Sequence, residues 1–322
     1  MGYTVLIPSD ISRVGKDYLL EKGYSIKMGR GTDEDTICED VKGCDALLAR
    51  NEHITRKILT AATDLKVLSK HGVGLDKIDL QAARDLNIWV VNGPLSNTTA
   101  VAEHTMLLIL ACAKKLIFFD NAMRSGDYEV RNRIKGQDVE GKVLGVIGLG
   151  KIGRLVAKKA SAGFGMRVVG FDPFLPESWG DADIERLKTM DEVISRADFV
   201  SIHMPSTDET RHSIGEAFFR KMKPGAYFIN AARGDLVNEP ELVQALNDGV
   251  IAGAGLDVFE DEPPRASNPL FGMVNVTVTP HNAALTSETT DRMGLHAAIG
   301  IHEVLSGLEP SWPVVIPKKA RF

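Results

Sequence analysis

Three short segments of the chain carry side chains whose combined chemistry suits oxidation or reduction at a carbon that bears oxygen. The segment Asn230–Gly234 carries an arginine, Asp257–Pro263 carries a run of acids, and Thr279–His281 ends in a histidine. Removing a hydride from such a carbon requires a base for the hydroxyl proton and a group that binds the polar end of the substrate. Histidine is the natural base, a carboxylate partner fixes its tautomer, and the arginine fork holds two oxygens in one plane. The three segments therefore predict a site for coupled proton and hydride transfer.

A fourth segment has the spacing of a dinucleotide-binding turn. Gly148, Gly150 and Gly153 follow a short apolar run and open a stretch with apolar residues at helical spacing. Such glycines allow a tight turn, a close approach to a pyrophosphate and close packing of helix on strand. The helix would begin near Lys151 and direct its free N–H groups at the phosphates. Asp172, about 20 residues further on, would accept hydrogen bonds from the ribose hydroxyls, so the segment predicts dinucleotide binding.

The composition is typical of a globular protein with two domains. The chain has 322 residues, of which 44% are hydrophobic and 25% are charged, and this length is sufficient for two cores. A formal net charge of −5 gives no basis for binding nucleic acid or an anionic membrane. The longest apolar run, Met106–Ala113, is too short to span a bilayer, and the first residues lack the layout of a signal peptide. Three scattered cysteines fit a reducing compartment and no zinc site, so we expect a cytoplasmic protein without a metal.

Short apolar runs alternate with amphipathic stretches along the chain, a pattern typical of α/β units with mostly parallel sheets. One unit is predicted up to residue 97, and a second begins after the turn-rich link Asn92–Asn97. In the second unit each reactive segment follows a predicted strand, so the side chains would meet at the carboxyl edge of one sheet, where open α/β sheets bind ligands. The last helix, at about Ser287–Ser306, is expected to return to the first unit, which predicts a hinged cleft between the two units.

A long helix is predicted from Thr98 to about Ser125. Its residues include an apolar face that is unlike a solvated surface. Such a face indicates either core packing or a subunit interface. We expect a homodimer formed through this helix.

With these motifs the chain resembles the NAD-dependent D-2-hydroxyacid dehydrogenases, with the phosphoglycerate dehydrogenase-like branch as one possibility. The family's glycine fingerprint resembles Gly148–Gly153, its N-x-x-R-G loop Asn230–Gly234, its D-V-F-x-x-E-P loop Asp257–Pro263, and its T-P-H turn Thr279–His281. The pattern and the resemblance together imply an α/β protein of two doubly wound parallel-sheet domains. These are a flavodoxin-like substrate-binding domain, residues 1–97 plus 285–322, and a Rossmann NAD-binding domain, residues 98–284.

The resemblance implies an oxidoreductase and assigns roles to individual residues. Arg233 would bind the substrate and His281 would be the general acid/base. Glu262, rather than Glu260 or Asp261, would be the partner of the histidine. The substrate would be a D-2-hydroxy acid or the matching 2-keto acid.

The resemblance also implies the ligand contacts. The cofactor-binding residues would be Gly148, Gly150, Lys151, Ile152, Gly153, Asp172, Pro205, Ala231, Ala232, Asp257 and Ala283. Asp257 would hold the nicotinamide carboxamide, and the turn residues Val73 and Gly74 would hold the substrate carboxylate. Because no arginine stands beside Asp172 to bind a 2′-phosphate, we expect NAD rather than NADP.

The identity of the substrate is less constrained. Arg50 and Lys70 occupy positions that are basic in phosphoglycerate-type relatives, and two cations there would favour a second anionic group, as in 3-phosphoglycerate. The alternative is that both are solvated charges at strand ends. Glu262 stands where formate dehydrogenases carry glutamine, which argues against formate.

Two departures and two alternatives accompany the resemblance. Asn282-Ala283 replaces the usual Ile-Gly after the histidine, and Tyr128 replaces a frequent tryptophan. The regulatory domain that longer relatives add after the last helix is not expected. The alternatives are an NAD(H)-sensing, corepressor-like binding protein, and a Rossmann dehydrogenase of another class, such as one acting on amino acids.

Overall fold

The computed structural model describes residues 2–321, which divide into two compact units. Unit 1 contains the residues up to Asn97 together with those from Ala284 onwards, and unit 2 contains Thr98–Ala283. Each unit is a layered α/β structure with its own sheet.

Unit 1 is built on a six-stranded sheet. Its elements in chain order are β1 Thr4–Ile7, α1 Arg13–Glu21, β2 Ser25–Met28, α2 Glu34–Asp40, β3 Ala46–Ala49, α3 Arg56–Ala61, β4 Val67–Lys70, α4 Leu80–Asp85 and β5 Trp89–Val91, followed after unit 2 by α12 Ser287–Leu305 and β13 Pro313–Val315.

The sheet of unit 1 has the strand order β13-β5-β4-β3-β1-β2, and only the pairing of β13 with β5 is antiparallel among the described strands. The order β2-β1-β3-β4-β5 is that of a flavodoxin-like sheet, which confirms the predicted fold class. Strand β3 is buried along its whole length, because helices cover both faces of the parallel sheet.

Unit 2 is built on a seven-stranded sheet. Its elements in chain order are α5 Thr98–Lys114, α6 Leu116–Arg124, α7 Val130–Arg133, β6 Val143–Ile147, α8 Lys151–Phe164, β7 Arg167–Phe171, β8 Glu185–Arg186, α9 Met190–Arg196, β9 Phe199–Ile202, α10 Glu216–Phe219, β10 Tyr227–Asn230, a 3₁₀ helix Gly234–Leu236, α11 Glu239–Asn247, β11 Gly253–Leu256, a 3₁₀ helix Pro269–Gly272 and β12 Val276–Val278.

All pairings in the sheet of unit 2 are parallel, in the order β12-β11-β10-β9-β6-β7-β8. This is the Rossmann order, in which the chain direction across the sheet reverses between β6 and β9. The carboxyl ends of these strands are the expected ligand-binding edge, and the glycine turn that follows β6 lies at the point of reversal.

The predicted single helix from Thr98 to about Ser125 is wrong in one respect. Lys115 has a φ of 52°, in the left-handed region, and separates α5 from α6. Its amide donates to the carbonyl of Cys112, and the amide of Gln137 donates to that of Ala113, so the last carbonyls of α5 bond outside the helix. The hydrogen bond from Gln137 that accompanies this break is long-range, and helical spacing does not reveal it.

None of the helices in residues 2–321 combines the length and the hydropathy of a membrane span. All three cysteines, Cys38, Cys44 and Cys112, are buried free thiols.

Candidate active site

The loop after β10 is shaped by a buried asparagine. The side chain of Asn230 donates to the carbonyl of Arg233 (2.8 Å) and accepts from the amide of Ala232 (2.9 Å). Gly234 follows, and a Cβ there would lie 1.8 Å from the carbonyl oxygen of Phe259, so only glycine allows this approach. The Arg233 loop is thereby packed directly against the acidic loop that follows β11.

The acidic loop presents one carboxylate to the histidine. Glu262 Oε2 lies 2.7 Å from His281 Nδ1, and Glu262 Oε1 accepts from the amide of Phe259. Glu260 pairs instead with His212 at 2.9 Å, and Asp261 is exposed. The geometry therefore selects Glu262 from the three consecutive acids as the partner of His281.

The hydrogen bond to Glu262 also determines which end of the His281 ring is available. A carboxylate accepts only, so Nδ1 carries the hydrogen and Nε2 is the nitrogen that exchanges a proton with a ligand. Within residues 2–321, no hydrogen-bond partner of Nε2 is present, and half of the side chain is exposed. This arrangement can act as a general acid/base.

Asp257 holds the turn that carries His281. The carboxylate is fully buried and accepts hydrogen bonds from the hydroxyl of Thr279 (2.6 Å) and from the amides of Asn282 and Ala283 (2.9 Å each). Its own carbonyl accepts from the amide of His281 at 2.7 Å. The expected contact of Asp257 with a nicotinamide carboxamide stays a prediction.

The turn after β6 fits a dinucleotide. Gly148 has a φ of 92°, and a Cβ on it would lie 2.6 Å from the main chain of His203. A Cβ on Gly150 would meet nothing within 4 Å, so the space in front of the turn is open. Gly150 is the N-cap of the 14-residue helix α8, which begins at Lys151 and continues with Ile152, so the first-turn amides face this space.

Asp172 follows β7 directly and is oriented by two amides. Oδ2 accepts from Leu149 and Oδ1 accepts from Phe174, both at 2.9 Å. The carboxylate is therefore fixed beside the glycine turn, where an acid can accept hydrogen bonds from a ribose.

The remaining cofactor candidates of unit 2 lie at the same sheet edge. Pro205 follows β9 and is exposed, Ala231 and Ala232 follow β10 and are half-buried, and Ala283 is buried beside Asp257.

In unit 1 the turn after β4 offers free amides. Neither Val73 nor Gly74 donates its main-chain N–H to an acceptor within residues 2–321. Asn92 holds the turn from β5, because its side chain donates to the carbonyl of Val73 at 2.9 Å. Successive free amides in such a turn suit a small anion.

Arg50 and Lys70 lie after β3 and at the end of β4, and both are half-buried. The ammonium of Lys70 donates to the carbonyls of Arg50 and His71, and the guanidinium of Arg50 donates to the carbonyl of Asp10 at 2.5 Å. Each cation therefore contacts the main chain of unit 1.

Two histidines that contact these segments, His71 of unit 1 and His104 of unit 2, were not predicted from the sequence. His71 stands in the turn after β4, is only 6% exposed, and its Nε2 lacks a partner within residues 2–321. His104 lies in α5, and its Nε2 is 2.9 Å from the hydroxyl of Thr279. The available signal in the sequence was a lone histidine in a glycine turn for His71 and a lone histidine in an apolar helix for His104.

Burial, together with the nearby cations Arg50 and Lys70, lowers the pKa of His71 to about 4. His71 is therefore neutral at pH 7, since both burial and its positively charged neighbours disfavour the imidazolium.

Unit 2 thus brings together Arg233, Glu262, His281, Asp257 and the glycine turn at one sheet edge. Val73, Gly74, Arg50 and Lys70 are grouped at the corresponding edge of unit 1. Within each unit these residues follow the carboxyl ends of parallel strands.

Comparison with known proteins identifies the type of domain that unit 2 represents. Residues 106–283 match the family described as D-isomer specific 2-hydroxyacid dehydrogenase, NAD binding domain.

Curated relatives extend the similarity to both units. The chain is 40% identical to the D-3-phosphoglycerate dehydrogenase of Methanocaldococcus jannaschii, over 90% of this chain and 55% of that protein. It is 36% identical to the D-3-phosphoglycerate dehydrogenase of Archaeoglobus fulgidus, over 97% of this chain and 59% of that protein. The chain therefore spans somewhat more than half the length of these relatives.

Solved structures share the fold over nearly the full chain. A protein from Thermus thermophilus has a TM-score of 0.90 and 34% identity, covering 97% of this chain and 100% of that one. A glyoxylate reductase from Paecilomyes thermophila has a TM-score of 0.87 and 28% identity, covering 97% and 98%.

The low pKa of His71 predicts an acid-sensitive unit 1. Because the pKa is about 4 in the folded state and 6.5 in the unfolded state, the stabilisation is complete above pH 6.5 and is lost as the pH falls through 4. Between pH 7 and pH 4.5 we expect the unfolding free energy of the parent to fall by about 2 kcal/mol more than that of His71→Gln, measured by urea denaturation. The exposed His53→Gln is the control, and equal pH dependence of both variants and the parent would contradict the prediction.

Proposed function

The chain belongs to the D-isomer specific 2-hydroxyacid dehydrogenase family, and from this membership we propose that it transfers a hydride between NAD(H) and C2 of a D-2-hydroxy acid or 2-keto acid. The observation that carries the proposal is the hydrogen bond between Glu262 and His281 on the same sheet edge as Arg233. Unit 2 carries the family's NAD-binding domain, and its open glycine turn fits that cofactor.

The proposed mechanism assigns one task to each side chain. NAD, when bound, supplies the hydride acceptor, or as NADH the hydride donor. In the oxidation direction, His281 Nε2 removes the proton of the C2 hydroxyl, and in the reduction direction it returns that proton to the carbonyl oxygen. Glu262 accepts a hydrogen bond from Nδ1 in both directions and stabilises the imidazolium that forms. Arg233 binds the substrate through its planar guanidinium.

We propose that one unit binds the cofactor and the other binds the substrate. Residues 98–284 would bind NAD through Gly148, Gly150 and Asp172. Residues 1–97 plus 285–322 would bind the substrate, with its carboxylate held by the free amides of Val73 and Gly74. The carboxylate of Asp172 would repel a 2′-phosphate, which supports NAD over NADP.

We propose further that the substrate carries a second anionic group, as 3-phosphoglycerate does. Two relatives named D-3-phosphoglycerate dehydrogenase support this class of substrate. Arg50 and Lys70 supply positive charge near the turn that holds Val73 and Gly74, and both are oriented by the main chain.

We propose a cytoplasmic homodimer formed through α5. Leu107 of α5 is 50% exposed, beside an open, largely apolar groove of about 710 Å³ whose walls include Leu110, Leu155 and Phe164. An apolar surface of this kind favours a protein interface. The three buried free cysteines support a reducing compartment.

A test of the reaction uses NADH with a panel of 2-keto acids, including phosphohydroxypyruvate, hydroxypyruvate, glyoxylate and branched-chain keto acids. We expect turnover with at least one, and we expect His281→Asn to lower kcat by about 10²–10⁴-fold, because a positioned acid/base contributes that much. NADH binding, followed by fluorescence, should persist. The exposed His53→Asn should retain full activity. Binding of NADH without turnover of any acid would favour the NAD(H)-sensing binding protein instead.

The second anionic group is tested at Arg50. Arg50→Ala should raise the KM for phosphohydroxypyruvate about tenfold, because one charge-assisted contact is lost, and change the KM for an uncharged-tail keto acid far less. Arg13→Ala, an exposed arginine of unit 1, is the control. Equal effects of Arg50→Ala on both substrates would remove the argument for a second anion.

The interface is tested by adding a charge to the apolar face of α5. Leu107→Glu should convert a dimer to a monomer in sedimentation analysis, because an interface does not tolerate an unpaired buried carboxylate. Leu20→Glu, at a similarly exposed position on α1, should leave the mass unchanged. A monomeric parent protein, or a dimeric Leu107→Glu variant, would exclude this interface.

A further inference from the structure

His104 of helix α5 contacts the turn that carries His281, although no motif includes it. Its Nε2 lies 2.9 Å from Thr279 Oγ1 and 3.5 Å from Asp257 Oδ1, and its side chain is only 12% exposed. Among residues 2–321, His104 is the basic side chain within 4 Å of the Asp257 carboxylate. The contact joins α5 to the ends of β11 and β12, all within unit 2.

The direction of these hydrogen bonds follows from the chemistry of the three groups. The Thr279 hydroxyl has one hydrogen, and at 2.6 Å from the carboxylate Oδ1 of Asp257 that hydrogen is donated to the acid. Thr279 Oγ1 can therefore only accept from His104. Nε2 of His104 carries a hydrogen and donates it towards Thr279 and Asp257.

This hydrogen-bond network continues to the two residues that follow the acid/base. Asp257 accepts from the amides of Asn282 and Ala283, which follow His281 directly. His281 itself has a φ of 50°, in a region that residues other than glycine seldom adopt. Such a conformation persists only where the surrounding contacts impose it.

We propose that His104 is a positioning residue for the acid/base: by donating through Thr279 to Asp257 it holds the turn that presents His281. The proposal rests on the proposed function, in which His281 exchanges a proton with the substrate. His104 does not touch the reacting atoms and acts only through the turn.

If His104 only filled space, a side chain of similar volume without a donor would leave the turn unchanged. Leucine is close to histidine in volume and would fill the same space, but it cannot donate, so Thr279 Oγ1 would lose the donor that orients its hydroxyl towards Asp257. Glutamine has a similar reach and keeps an N–H donor. The pair His104→Leu and His104→Gln therefore separates donation from volume.

The experiment measures hydrogen–deuterium exchange of the segment 279–283 by mass spectrometry, together with steady-state kinetics with NADH and the best 2-keto acid. We expect His104→Leu to accelerate exchange of the Asn282 and Ala283 amides about tenfold and to lower kcat about tenfold, with the KM for NADH within about twofold. His104→Gln should restore both readouts close to those of the parent. Thr105→Val, at a buried position of the same helix whose hydroxyl donates to the carbonyl of Val101 and not to the turn, should change neither.

A second pair covers the case in which His104→Leu does not fold. Thr279→Val removes the hydroxyl and should behave as expected for His104→Leu, whereas Thr279→Ser keeps the hydroxyl and should resemble the parent. The proposal is overturned if His104→Leu and Thr279→Val exchange at the parent rate, or if His104→Gln is as defective as His104→Leu. Because exchange needs no substrate, a parent protein that reduces none of the acids would refute the proposed function while the exchange data still decide the role of His104.

Discussion

A buried carboxylate must be hydrogen-bonded, and the site depends on how the chain meets that requirement at Asp257. Placing an unpaired charge in a protein interior is costly, so donors must surround it. Here they come from Thr279, Asn282, Ala283 and, through Thr279, from His104. Because two of these donors are main-chain amides, satisfying the acid fixes the path of the turn, and with it the position of His281.

The parallel sheet explains why the other groups are within reach of that turn. Strands β6, β10, β11 and β12 all end at one edge, so the loops that follow them are neighbours although they are far apart in sequence. Gly234 lets the arginine loop approach the main chain of Phe259. Glu262 then connects the acidic loop to the His281 turn through a hydrogen bond. The sheet brings the loops together, and the hydrogen bonds between them orient the side chains.

Much of this architecture could be predicted from the sequence, because it follows from local patterns. Buried strands give apolar runs, and the glycine spacing after Ile147 marks the turn, so the α/β class, the two mostly parallel sheets and the family were predicted correctly. The break at Lys115 was not predicted, because the contact from Gln137 that accompanies it is distant in sequence. His104 was missed for the same reason: its partner Thr279 lies 175 positions away, and the surrounding helix is typical of a core or an interface.

The central claim is that His281, held by Glu262 and the Asp257 turn, moves the proton that accompanies hydride transfer at C2. The most direct measurement incubates the protein with NADH deuterated at C4 and a 2-keto acid, and follows the label and the configuration at C2 of the product by mass spectrometry and chiral chromatography. The account predicts deuterium at C2 of a D-2-hydroxy acid with the parent protein, and almost none with His281→Asn in the same time. An L-hydroxy acid, or equal labelling by the parent and the variant, would contradict it.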